Sequence, residues 1–145
     1  MDLSKYQAMQ FRRDGRILHV TLNRPEGLNA FTGELHDEFQ EFIARVPQDE
    51  ASDVLVITGA GKAFSAGGDI GDMQELIKDP ASFHPKIPHI KRLVTDLLDI
   101  PQVVITKVNG AAMGLGATIA LLGDICFAAN HAKIADPHVK VGFVA

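Results

Sequence analysis

The 145-residue sequence predicts one layered α/β domain, and three observations carry that reading. Short apolar runs such as "DVLVITGAG" and "PQVVITKVNG" end in glycine turns, the look of strands buried in a layered sheet. Segments with helical spacing follow those turns, so a strand, glycine turn and helix recur at 53–77 and again at 103–122. The composition, 46% hydrophobic with 22% charged residues, supports a real core over residues 1–145, and no composition shift marks an internal boundary.

Along the chain, "YQAMQFRRDGRILHVTLN" reads as two strands joined at Asp14-Gly15, a dipeptide that supplies the positive φ angles of a tight hairpin. In the second strand Leu18, Val20 and Leu22 alternate with Ile17, His19 and Thr21. Thr32 is a plausible N-cap for a helix whose apolar stripe is Leu35, Phe39, Phe42, Ile43 and Val46, with Pro47 ending it. Asp69 caps a short helix reaching about Ile77, and a second helix fills Ile87 to Leu98 behind a proline-punctuated loop containing His84 and His89. "LGATIALLG" predicts a buried helix and "DICFAA" a further strand.

Charge and composition exclude several classes of partner. Fourteen basic against eighteen acidic residues, with no basic stripe, argue against nucleic acid. The Val108–Gly123 stretch is too short and too glycine-rich to span a membrane, and the N-terminal residues lack the apolar core of a secretory signal, so a cytoplasmic protein is expected. The single Cys126 allows no intrachain disulfide or multi-cysteine metal site; a buried thiol is expected, and no metal.

The two glycine turns expose backbone N–H groups just before helices, where the dipole favours negative charge. Facing each other, they would form an oxyanion hole for a carbonyl oxygen, although glycine turns after strands are also common as plain structure. Neither turn has the spacing of a P-loop or a dinucleotide fingerprint.

In order and spacing, "LNRPEGLNAF", "ITGAGKAFSAGGDIGDM", "VNGAAMGLGATIALLGDICFAA" and "AKIADPHVKVG" resemble the crotonase (enoyl-CoA hydratase/isomerase) superfamily across nearly the whole chain. The resemblance implies the ClpP/crotonase fold of repeated ββα units. The chain would be the N-terminal core of it, without the C-terminal helical part. It also implies an acyl-CoA thioester as partner, coenzyme A being part of the substrate with no separate cofactor, and a homo-oligomer, trimer or hexamer.

By position, the oxyanion donors would be the amides of Ala66 and Leu115. Phe64, Ala66, Gly67, Gly68, Asp69, Leu115 and Leu28 would line the thioester and nucleotide site. Arg24 or Lys62 would supply a cation to the CoA phosphates where the family often has a basic residue and this chain has Glu26. The family's two catalytic glutamates are replaced by Thr118 and His138. A threonine hydroxyl is no general base near neutral pH, whereas His138, following Asp136-Pro137, is suited to either proton role. Two functions are therefore expected in competition: an acyl-CoA enzyme that stabilises an enolate, and an inactive binding or assembly module that keeps the fold.

Overall fold

A computed structural model describes residues 1–141, with the backbone alone at positions 76, 77, 80, 83, 86 and 141. In chain order the elements are β1 (Met9–Asp14), β2 (Ile17–Leu22), α1 (Gly33–Arg45), β3 (Val54–Gly59), β4 (Ala63–Ser65), α2 (Ile70–Lys78), α3 (Ile87–Leu98), β5 (Val103–Val108), β6 (Ala111–Met113), α4 (Leu115–Leu121), β7 (Ile125–Ala128) and β8 (Lys133–Ala135). Short 3-10 turns cover Pro25–Gly27, Val46–Gln48, Pro80–Lys86 and His138–Val141.

β1 and β2 form the expected antiparallel hairpin, but its turn is Gly15-Arg16 rather than Asp14-Gly15: Asp14 pairs with Ile17 as the last residue of β1, and Gly15 alone of the turn has positive φ, at 55°. β2, β3, β5 and β7 then run parallel, giving the order β1-β2-β3-β5-β7. A second, all-parallel sheet has the order β4-β6-β8. β3, β5 and β7 of the first sheet each feed a short strand of the second, β4, β6 and β8, and α2 and α4 leave from the ends of β4 and β6. This is the repeated strand-strand-helix unit, and its geometry places the two glycine turns side by side.

The core lies between the first sheet and α1. Leu18, Val20 and Leu22 on one face of β2, Leu55 and Ile57 of β3, and the stripe Leu35, Phe39, Phe42, Ile43 and Val46 are all fully buried. Thr32 caps α1, its hydroxyl accepting from the Leu35 amide. α3 adds Leu93 and Leu97, and α4 adds Ile119.

Three further sequence expectations are corrected. β5 is buried on one face only: Val104, Thr106 and Val108 point inward while Val103 and Lys107 are exposed. Cys126 is exposed, because β7 is an edge strand with all four residues open to solvent. The segment holding His84 and His89 is helical almost throughout: Pro80 and Pro88 sit at first-turn positions, where proline costs no helical hydrogen bond, and Pro85 stands inside the 3-10 turn Pro80–Lys86.

Candidate active site

The first turn joins β4 to α2 and is laced to residues 28–31. The Ala66 amide donates to the Leu28 carbonyl (2.9 Å), the Phe31 amide to the Gly67 carbonyl (2.7 Å) and the Asp69 amide to the Phe31 carbonyl (3.2 Å). Buried Ser65 locks the turn from within: its hydroxyl donates to the Asn29 carbonyl at 2.8 Å and accepts from the Gly67 amide at 3.1 Å. Ala66 is therefore corrected as an oxyanion donor, because its N–H is spent on Leu28. Among the described residues, the amide on this turn that lacks an acceptor is that of Gly68.

The turn's rigidity comes from two asparagines that the sequence reading did not single out. Asn29, wholly buried at φ 54°, donates from Nδ2 to the carbonyls of Ala60 and Ala63 (2.9 Å each) and accepts the Arg24 amide on Oδ1. Asn109 donates to the Gly61 and Ala63 carbonyls and accepts the Gly59 amide. The available signal was a polar residue inside each of the apolar motifs "GLNAF" and "VNGAAM".

The second turn joins β6 to α4. Gly114 adopts φ 50° and ψ −119°, a conformation closed to residues with a Cβ, and its amide donates to the Ala135 carbonyl at 3.0 Å. Leu115 opens α4, and its amide has no acceptor among the described residues, as expected for a first-turn N–H. Gly67, at φ 86°, packs so closely on Met113 that a Cβ there would collide with the Met113 carbonyl oxygen and lie 3.5 Å from the Gly114 Cα. The two turns thus touch, and each offers one open amide.

His138 stands over this junction. Its Cε1 and Nε2 lie 3.9 Å from where a Gly114 Cβ would be, and its Nδ1 contacts the Asp136 carboxylate, which also accepts the His138 amide at 3.1 Å. The neighbouring carboxylate expected to orient the ring is in place. Thr118 uses its hydroxyl as a donor to the Gly114 carbonyl at 3.3 Å.

The remaining candidates separate. The Phe64 ring is fully buried in the core, so only its backbone faces outward chemistry. Asp69 is an N-cap, accepting from the Gly71 and Asp72 amides at 2.8 and 3.2 Å. Leu28 is 38% exposed beside the first turn. Arg24 donates to the Thr32 hydroxyl at 2.6 Å, and Lys62 is exposed. Asp72 accepts the Gly33 amide, Glu75 pairs with Lys78, and Asp124 accepts the Val104 amide, so none of these is directed to the turns.

A parallel α/β framework of strand-strand-helix units, with its site built from two apposed backbone turns, defines the crotonase class of fold. The chain belongs to the enoyl-CoA hydratase/isomerase family: the family's sequence model matches residues 12–145. It is 40% identical over 133 residues to 1,2-epoxyphenylacetyl-CoA isomerase of Escherichia coli K12, covering 88% of this chain and 50% of that protein. It is 35% identical over 125 residues to the mitochondrial enoyl-CoA hydratase of Pongo abelii, covering 86% of this chain and 42% of that one. An enoyl-CoA hydratase/isomerase crystal structure from Mycobacterium paratuberculosis superposes with a TM-score of 0.89 at 40% identity, over 95% of this chain and 55% of that one. The chain spans about half the length of the curated relatives it matches. No helix among the described residues is long and apolar enough to cross a membrane.

Proposed function

We propose that the chain binds an acyl-CoA thioester and stabilises the enolate of its acyl group with the open amides of Gly68 and Leu115. The observation that carries this reading is the contact between the two turns, each with one N–H that has no acceptor among the described residues. Charge that develops on a thioester oxygen would meet both donors, already oriented and with no reorganisation to make.

His138 is the proton-transfer group in this reading. With Nδ1 turned to Asp136, Nε2 is the nitrogen presented toward Gly114 and the substrate's α-carbon. One group that removes and returns a proton suffices for double-bond isomerisation, whereas adding water requires a second acid or base. Thr118 and Asp69 do not supply it, being engaged with the Gly114 carbonyl and the α2 cap. Proton transfer at the α-carbon, leading to isomerisation, is therefore the proposed reaction class.

The test is calorimetric titration with an acyl-CoA, followed by assay with unsaturated acyl-CoA isomers. Saturable binding and an isomerisation rate reduced by about 100-fold or more in His138→Ala are expected. No heat with any acyl-CoA at about millimolar ligand, which corresponds to less than about 4 kcal/mol of affinity, would sink the proposal. Binding with no turnover would restrict it to a binding module.

A further inference from the structure

On the outer side of the core, α1 and α3 meet along an open groove of about 470 Å³ lined by Asp37, Gln40, Glu41, His89, Arg92 and Asp96. His36 and Gln40 lie one helical turn apart on α1, and His89 stands in the first turn of α3. The His36 and His89 rings stack with centroids 5.8 Å apart and planes 27° from parallel. His89 Nε2 is 3.8 Å from an Asp37 carboxylate oxygen, and one ligand atom from each of His36, Asp37 and His89 falls within 4.8 Å of the others.

We propose that His36, Asp37 and His89 form a binding site for a divalent transition ion of borderline softness, zinc being the type case. Two imidazoles and one carboxylate are the donor set such ions take, in preference to calcium or magnesium, which favour all-oxygen sites. Bonds of about 2.0–2.2 Å in tetrahedral geometry put donors roughly 3.3–3.6 Å apart. The present spread closes by about 1 Å of side-chain rotation, and Asp37 and His89 are both exposed and able to make it.

Gln40 borders the same cluster. Gln40 is only 6% exposed, its Nε2 lies 3.4 Å from His89 Nδ1, and its Oε1 is buried without a partner among the described residues. A half-turn of that amide brings Oε1 to His89 Nδ1. The ring then carries its proton there and offers the Nε2 lone pair toward Asp37. Gln40 is a positioning residue in this arrangement, fixing the tautomer of a ligand histidine. Solvent fills the fourth position. The ion would tie α3 to α1 independently of the two turns, so this site stands or falls apart from the thioester reading.

The experiment is titration of the 145-residue chain with Zn²⁺ by calorimetry and with Co²⁺ by visible absorption. Expected are one ion per chain, ligand-field bands of a low-coordinate Co²⁺ site, and affinity lowered by about tenfold or more in His89→Gln and in Asp37→Asn. Both positions are exposed, so their variants should fold, as circular dichroism would verify, and His131→Gln at a distant exposed site should bind like the parent. Equal affinity in the parent, His89→Gln and Asp37→Asn would overturn the site. So would the absence of saturable Co²⁺ uptake at about 1 mM.

Discussion

Asn29 carries more of the site than any titratable side chain. It holds the Ala60 carbonyl of the β3–β4 connection, the Ala63 carbonyl at the start of β4 and one amide of its own loop, all from a left-handed backbone that few residues other than asparagine and glycine adopt readily. Asn29→Ala should cost about 2–3 kcal/mol in urea denaturation, since the buried groups lose their partners. Gly67→Ala should cost roughly 2–3 kcal/mol, because the new Cβ meets the Met113 carbonyl from a positive-φ backbone.

Gly68 gives the sharper functional contrast. Gly68→Pro removes the proposed donor N–H and should lower turnover by about 10²–10³-fold, while Gly68→Ala keeps the N–H and displaces only the flexible tip of Met73. Comparable losses in both variants, measured by kcat, would contradict the role given to that amide. The segment 66–69 was legible in the sequence as a cradle of small residues. Which of its amides is open was not, because that depends on Leu28 presenting its carbonyl to Ala66 from a distant part of the chain.

At the scale of elements, legibility followed length and period. α1 and α3 are long enough to show an apolar stripe, and the bounds read for α3, Ile87–Leu98, are those found. β4, β6 and β8 are three residues each, too short to display any alternation, so the second sheet could not be read from pattern alone. The family resemblance supplied the repeated unit that periodicity could not. Asp69→Ala should destabilise by about 1 kcal/mol through loss of the α2 cap, measured by thermal unfolding.

The turn after α1 carries a pH dependence. Burial alone would raise the Asp49 carboxyl, but hydrogen bonds from Ser52 and Arg13 outweigh it and hold the group below its ordinary 3.8. With the folded value depressed, the stabilisation is fully present above the unfolded pKa and is lost as pH falls through the folded one. Asp49→Asn should therefore be less stable than the parent at pH 7. The gap should narrow as pH falls below the ordinary carboxylate range, read from urea midpoints.

For the molecule as a whole, several large apolar side chains are exposed among the described residues. Leu121 of α4, Ile125 and Phe127 of β7, and Ile134 of β8 are 61%, 45%, 62% and 39% exposed. Apolar surface of this kind on the edge of a parallel sheet favours association. Sedimentation of the 145-residue chain should show concentration-dependent oligomers that Phe127→Ser weakens; a strictly monomeric parent would contradict this.

In the proposed function, backbone amides at two touching turns receive the thioester oxygen. The most direct measurement is a crystal structure of the chain with a non-reactive acyl-CoA analogue. The thioester oxygen is expected about 3 Å from both the Gly68 and Leu115 nitrogens, with His138 Nε2 the titratable atom nearest the α-carbon. A thioester bound with its oxygen away from either amide would contradict it.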